Sequence, residues 1–501
     1  MNAPAPKPIR KVIVSESFRA VLDGVLFSPP TSERLDRAVL AMVLAVLLLV
    51  GCVHWFVFFK AGHMRFSIDD WPDKFQLLSA SREAVRTGRI PYHTSFLVAP
   101  RGIPTDRFLA NPQTILSPQI VLLRWLEPGP FVAVNAVLMG AVGFLGCLLI
   151  RARYRLSLLP FAFFYLLFSF NGHVVSHLAV GHAEWFGYFF LPFFALCVLR
   201  LLEGGAGPAI RIGLPLVLFA IVLQGAFHIY LWCAGFVLLL AAFERRIAQL
   251  ALTAVAWSLL LSAFRIIPAA MSGLSQDTGE RLFFAGYSTL AQFVSALISI
   301  RGWGFDPSSP NLGWWEYDLF ISLLGLAATI YFGIYLGLLR QASQPLLALR
   351  WPMTICALMS FNLFYPFNLL SEVIGFVGPE RVSSRFVIVP LLFALILAAV
   401  AMQGNIEMFR RSLAHTLLAV AALMEVGFEL MMHSYAWWPR VLERKPTAEL
   451  ALPRSVYIIA RPDPSYKFVL ALSVAISAAG LLGLFIHGIT KHRDRQVEGA
   501  S

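Results

Sequence analysis

Asp69, Asp70 and Trp71 follow closely on the first long apolar run of the chain. Two adjacent carboxylates at a membrane surface can hold a divalent metal or deprotonate a hydroxyl nucleophile. The same residues suit helix capping. Pro72 fits a first helical turn, and Asp69, Asp70 and Asp73 favour the positive end of a helix. One acid can serve chemistry while its neighbour caps.

A second group lies in Asn171–Trp185, where His173, His177, His182 and Glu184 gather at a predicted membrane edge. Imidazole and carboxylate both bind divalent cations, so His182 and Glu184 are candidate metal ligands beside the acid pair. The spacing matches no dedicated zinc motif, and a His-rich turn hydrogen-bonded to backbone is the plainer alternative. His228, near the next turn, is a lesser candidate that also suits core packing. A third group is Pro379–Phe386. Arg381 and Arg385 are one helical turn apart, and guanidinium groups bind phosphate through paired hydrogen bonds. Contact with lipid head groups is the alternative. Trp303, Trp314 and Trp315 stand near Asp277, Glu280, Asp306, Glu316 and Asp318. That mixture suits a sugar-stacking cleft or interfacial anchoring. Glu425 and Glu429, one turn apart in an apolar run, are expected to face the interior, lining a cavity or pairing with an arginine.

The elements that must position these residues are membrane helices. The 501 residues are 58% hydrophobic and 14% charged, with a mean hydropathy of +0.72. Soluble domains carry about 25% charged residues, so a soluble class is excluded. Apolar runs long enough for roughly 30 Å of hydrocarbon recur along the chain. The expected spans are Val39–Phe59, Phe131–Ile150, Leu158–Phe170, Trp185–Leu199, Ile212–Gln224, His228–Phe243, Leu250–Phe264, Leu319–Leu339, Trp351–Tyr365, Phe386–Met402, Leu413–Met431 and Phe468–Ile486. The fold class is thus an all-α polytopic membrane protein with about twelve transmembrane helices.

The expected organisation is a cytoplasmic segment 1–37, a transmembrane domain 38–488 with outer loops at 60–124, 265–316 and 433–467, and a cytoplasmic tail 489–501. Short basic connections put both termini inside. The net charge of +12 therefore reflects topology, not nucleic-acid binding. Lys11–Phe27 suits an amphipathic surface helix, and Asp73–Arg86 an interfacial one. All five cysteines fall in apolar runs, which gives no disulfide framework or metal spacing. No cleavable signal peptide and no internal repeat is visible.

The first long loop also carries Gly88-Arg89-Ile90-Pro91-Tyr92 and Ala110-Asn111-Pro112-Gln113-Thr114-Ile115-Leu116-Ser117-Pro118. With the acid pair at its start, this loop resembles that of the GT-C superfamily of membrane glycosyltransferases, which use polyprenyl-phosphate-linked sugars. The resemblance extends to the many-span architecture. It implies a catalytic acid at Asp69 or Asp70 and a phosphate contact at Arg385, with Arg381 beside it. It leaves room for a divalent metal, Mg or Mn, and favours His182 and Glu184 as a second metal- or acceptor-binding element.

The expected function is inverting transfer of a sugar from a polyprenyl-phosphate donor to an acceptor hydroxyl at the outer face of a bacterial-type inner membrane. The expected partners are that donor, a lipid, glycan or small acceptor, and membrane lipids, with no nucleic acid. The rivals are a transporter or flippase of a lipid-linked or anionic substrate, and a polysaccharide polymerase of another membrane fold. A transporter would more often show broken helices and repeated halves.

Overall fold

The computed structural model describes residues 23–27, 34–63, 70–95, 106–205, 207–274, 286–300, 313–340, 344–365, 382–438 and 457–498. Apolar runs with no water to satisfy their backbone must close their hydrogen bonds internally, so they form helices. Among the described residues, eight helices are long and apolar enough to cross a membrane, and nine if one bent pair counts as a single span. The chain is an all-α polytopic membrane protein.

In chain order the main helices are α1 (Arg34–Phe58), α2 (Trp71–Thr87), α3 (Pro128–Tyr154), α4 (Leu158–Ser169), α5 (Gly172–Ala179), α6 (Leu191–Leu202), α7 (Pro208–Leu223) and α8 (Phe227–Phe243). There follow α9 (Arg245–Leu261), α10 (Ala263–Leu274), α11 (Leu290–Ile298), α12 (Leu323–Arg340), α13 (Arg350–Met359), α14 (Ile388–Gly404), α15 (Leu413–Ala436) and α16 (Pro464–Glu498).

Each of the expected spans has a helical counterpart, but they are not all alike. The runs Ala209–Leu223, Phe227–Phe243 and Pro345–Met359 are shorter apolar helices, and α9 and α10 meet at a bend of 68°. The innermost helices are α4, α5 and α14, whose side chains are almost all buried. From Thr329 to Arg340, α12 is a π-helix, and it packs on α14.

Two expectations are corrected. The segment Asn171–Glu184, expected as an outer connection, is buried throughout. Its residues Gly172–Ala179 form α5, the second half of the apolar run Leu158–Ala179, and the rest packs as a closed turn rather than an open loop. Asn171 stitches the break between α4 and α5. Its amide donates to the carbonyls of Leu167 (3.0 Å) and Phe168 (2.8 Å), and its oxygen accepts from the Val174 N–H (3.3 Å). One side chain thus serves orphan groups of both helix ends.

The span expected from Leu319 begins as helix only at Leu323. Residues 318–322 are buried and non-helical. Their backbone finds partners elsewhere: Leu319 and Ile321 donate to carbonyls at the end of α11, and Phe320 accepts from Gly172. A buried backbone must be satisfied in this way if it is not helical.

The first long loop is a packed cap. The helix expected over Asp73–Arg86 runs over Trp71–Thr87, with Pro72 in its first turn and Gly88 closing it in the left-handed conformation. Its buried stripe faces the 3-10 turn Pro118–Arg124 and α3. Buried Arg265, on α10, donates to the carbonyls of Asn111, Pro112 and Thr114 at 3.2, 3.0 and 2.7 Å. Further out, β1 (His93–Thr94) pairs antiparallel with β2 (Ile458–Ile459), joining the first loop to the last. The surface helix expected over Lys11–Phe27 falls outside the described residues except at 23–27.

Candidate functional site

Asp70 stands at the N-terminus of α2, where a capping side chain would accept a hydrogen bond from the helix. It makes no such bond. Its carboxylate lies 3.2 Å from His182 Nε2 instead, half-exposed, while His182 is buried. Two backbone contacts hold this geometry. The Asp70 N–H donates to Val180 O at 3.0 Å, and the Trp71 indole donates to Ala179 O at 3.0 Å. Gly181 permits the approach. Its φ is +101°, and a Cβ there would stand 2.4 Å from the Trp71 nitrogen. Only glycine adopts that conformation and leaves that space.

Burial pushes the Asp70 carboxyl up, but the hydrogen bond and charge of His182, with the charge of Lys74, outweigh it and hold it at about 2. Asp70 is therefore ionised throughout the physiological range. Its neighbour Asp73 moves the other way, raised by burial and by the Asp70 charge.

Behind His182 lies a buried charged layer. The His177 and His182 rings are 5.0 Å apart, and His177 stacks on Trp185 at 4.3 Å. His177 Nε2 is 3.5 Å from Glu316 Oε2. The same Glu316 oxygen accepts from Arg385 Nε at 2.8 Å and from its Nη2 at 2.5 Å. The guanidinium sits over the Trp185 ring, 4.8 Å from its centre. Burial alone would raise the Glu316 carboxyl. The Arg385 charge and the His177 contact outweigh it, leaving the group well below its usual range.

Glu184 faces elsewhere. It pairs with Lys74 at 2.9 Å, both side chains being buried, and Lys74 also donates to Gln113. His182 and Glu184 thus serve different partners, one Asp70 and the other Lys74. Among the described residues, no three or more His, Cys, Asp or Glu side chains converge as metal ligands.

Asp69 and Arg381, with Asp277, Glu280, Arg281, Arg301, Trp303 and Asp306, lie outside the described residues. Arg385 is described, and two of its donors engage Glu316 rather than an open surface. His228 lies in the aromatic layer, 6.2 Å from the Trp185 ring. Trp314 and Trp315 are half-buried and pack against the core.

Sequence reasoning passed over Lys74. A signal was present: Trp71, Lys74, Leu78 and Ser81 follow helical spacing on the buried face, so the lysine interrupts a stripe that faces inward. Glu316 stood out only as one acid among many. Nothing local distinguishes it, because its partners His177 and Arg385 are far away in sequence.

Asp318 anchors the same end of the bundle. It is fully buried and accepts from His433 Nε2 at 2.9 Å, the Trp437 indole at 2.5 Å and the Phe320 N–H at 3.0 Å. These bonds tie the non-helical segment 318–322 to α15. Buried acids are tolerated when hydrogen-bonded in this way. Comparison with known proteins gives no match for the chain: no family model, no curated protein and no solved structure.

Proposed function

We propose that this membrane protein is a glycosyltransferase of GT-C type that moves a sugar from a polyprenyl-phosphate donor to an acceptor hydroxyl. The observation that carries the reading is the Asp70 carboxylate: ionised, half-exposed, and backed by buried His182 rather than spent on capping. A carboxylate at about 2 is a weak base. It suits a late proton transfer, when the attacking hydroxyl has already become acidic by bonding to the anomeric carbon. One displacement then inverts that centre. Asp69 shares the candidacy.

Arg385 lies in the 3-10 turn Ser383–Val387 that leads into α14, near the same layer. By exchanging Glu316 for a departing lipid phosphate, its cation would meet the charge that grows there, with Arg381 as a second contact. An apolar cavity of about 300–1,000 Å³ is an ordinary size for a ligand site, and one of about 620 Å³ runs along α11, α12 and α14 here. Leu290, Phe293, Ile330, Leu338, Val387 and Pro390 are among its lining residues. Val387 follows Arg385 by two residues in the same 3-10 turn, so a phosphate at Arg385 would lead its isoprenoid tail toward this space. The described residues do not fit a divalent ion, Mg or Mn: Asp70 and His182 pair with each other, and Glu184 is turned to Lys74.

The proposed setting is a bacterial-type inner membrane with both termini cytoplasmic. Reporter fusions at Arg153, Arg245 and Arg410 should read as cytoplasmic, and those at Pro100, Pro307 and Arg454 as external. Reversal at any two would move the site to the wrong face. The activity test is incubation of purified protein with a panel of polyprenyl-phosphate sugars and membrane extract. Transfer or release of sugar that Asp70→Asn abolishes supports the reading, and its absence with every donor sinks it.

A second reading, a transporter or flippase of a lipid-linked or anionic substrate, draws on the broken span at Phe170–Asn171 and the buried segment 318–322. Irregular backbone within a bundle is a transporter trait. Movement of a donor across sealed vesicles without sugar transfer would favour it.

A further inference from the structure

Within the apolar spans of the described residues, which leave out the polar ends of α1 and α16, only Glu184, Glu425 and Glu429 carry carboxylates. Glu184 has Lys74. The two on α15 were expected to face inward, and Glu425 does not: it is exposed on the outer face. No hydrogen bond or ion pair serves it among the described residues. It sits midway along the 24-residue helix, roughly 17 Å from either end at 1.5 Å per residue.

The rest of that face is apolar. Leu417, Leu418, Met424, Phe428 and Met432 are all exposed, at spacings that make one stripe. One turn on, Glu429 keeps one oxygen buried without a hydrogen-bond partner. A carboxylate facing hydrocarbon at mid-depth is costly, and such groups normally find a counter-charge.

We propose that α15 is a docking face for a transmembrane helix of a different protein, one carrying a lysine or arginine at mid-bilayer depth. Its cation would meet the exposed carboxylate of Glu425, with Glu429 one turn away adding to the negative charge, while its apolar side chains would pack on the stripe. Among the described residues, a second copy of this chain supplies no such cation. The described Lys and Arg residues of the apolar helices lie in the first or last turn of the apolar span or beyond its end. The exception is Arg265, which is buried against three carbonyls. Two copies meeting on this stripe would set Glu425 against Glu425. The proposal is independent of the glycosyltransferase reading.

The test uses the full-length protein in phosphatidylcholine vesicles with a synthetic transmembrane peptide of leucine and alanine. The peptide carries a single central Lys, Leu or Glu. A photo-crosslinking benzoylphenylalanine replaces Phe428, and in a control it replaces Leu482 on α16, which is also exposed. From Phe428, the Lys peptide should cross-link about tenfold more than the Leu peptide, the ratio that 1.4 kcal/mol gives. The control position should show no such preference. Glu425→Gln should abolish the preference, and Glu425→Lys should transfer it to the Glu peptide. Equal yields for Lys and Leu peptides on the parent protein would overturn the proposal, as would a Lys preference that survives Glu425→Gln. Cross-links from Phe428 to a second copy in preference to the Lys peptide would overturn it in favour of self-association.

Discussion

Two charged clusters tie the first long loop to later parts of the chain. Around His93, the loop meets the segment before α16. His93 lies 3.1 Å from Asp106 and 3.6 Å from Asp463, and those acids also take Arg461 at 2.6 Å and Arg107 at 2.9 Å. Apart from His93, these side chains reach solvent, Arg461 most of all. Around His182 the same loop meets α5, and the charged layer behind it, Glu316 with Arg385 and Glu184 with Lys74, is sealed. The chemistry of the pairs is alike, but their surroundings are not. Water screens the first cluster, so its pairs are weak and replaceable. The second has no solvent to fall back on, so each charge depends on its partner.

The largest expected effect breaks the sealed cluster. Glu316→Ala or Arg385→Ala leaves one buried charge unanswered and should cost about 3–5 kcal/mol, measured by denaturant unfolding in a mild detergent. Replacing both together by apolar residues of similar volume should cost much less. A double variant as unstable as either single one would mean that the pair itself, not the orphaned charge, carries the stability.

Asp70→Asn should cost only modest stability but lower sugar transfer by roughly two orders of magnitude, as loss of a general base does. Asp69→Asn provides the contrast: if Asp69 is instead the base, the two variants exchange roles. Near-full transfer in both would make the acid pair structural.

The next effect is one of pH. The folded Asp70 carboxyl lies at about 2, below its ordinary value of 3.8. Its contribution to stability is therefore present above 3.8 and is lost as pH falls toward about 2. Thermal midpoints of the parent should decline more steeply across that window than those of Asp70→Asn. Parallel curves would show that His182 does not hold the carboxylate. Because the side chain is half-exposed, the difference should be modest.

The smallest effect belongs to the exposed cluster. Arg461→Ala should cost about 0.2–1 kcal/mol. That cost should fade at about 1 M salt, where the screening length drops to about 3 Å. The Glu316 variants should keep their deficit at the same salt. Equal salt sensitivity in both would remove the distinction between the two clusters.

What the sequence determined by itself was local. Long apolar runs specify membrane helices, because each helix closes its own backbone hydrogen bonds whatever its neighbours do. The α2 helix was legible for the same reason: Pro72 and the acids mark its start, and Gly88 its end. The pairing of Asp70 with His182 was half legible, since both residues stood out by type. Their contact was not, because it depends on Gly181 letting the α5 turn approach Trp71. Only the tertiary structure decided that Glu316 and Arg385, 69 residues apart, share one buried ion pair with His177 at its edge, that Lys74 takes Glu184, and that Glu425 points outward. Periodicity reports which face of a helix is apolar. Which distant charge meets which is set by packing, since burial makes an unpaired charge costly but leaves the choice of partner to the geometry of the bundle.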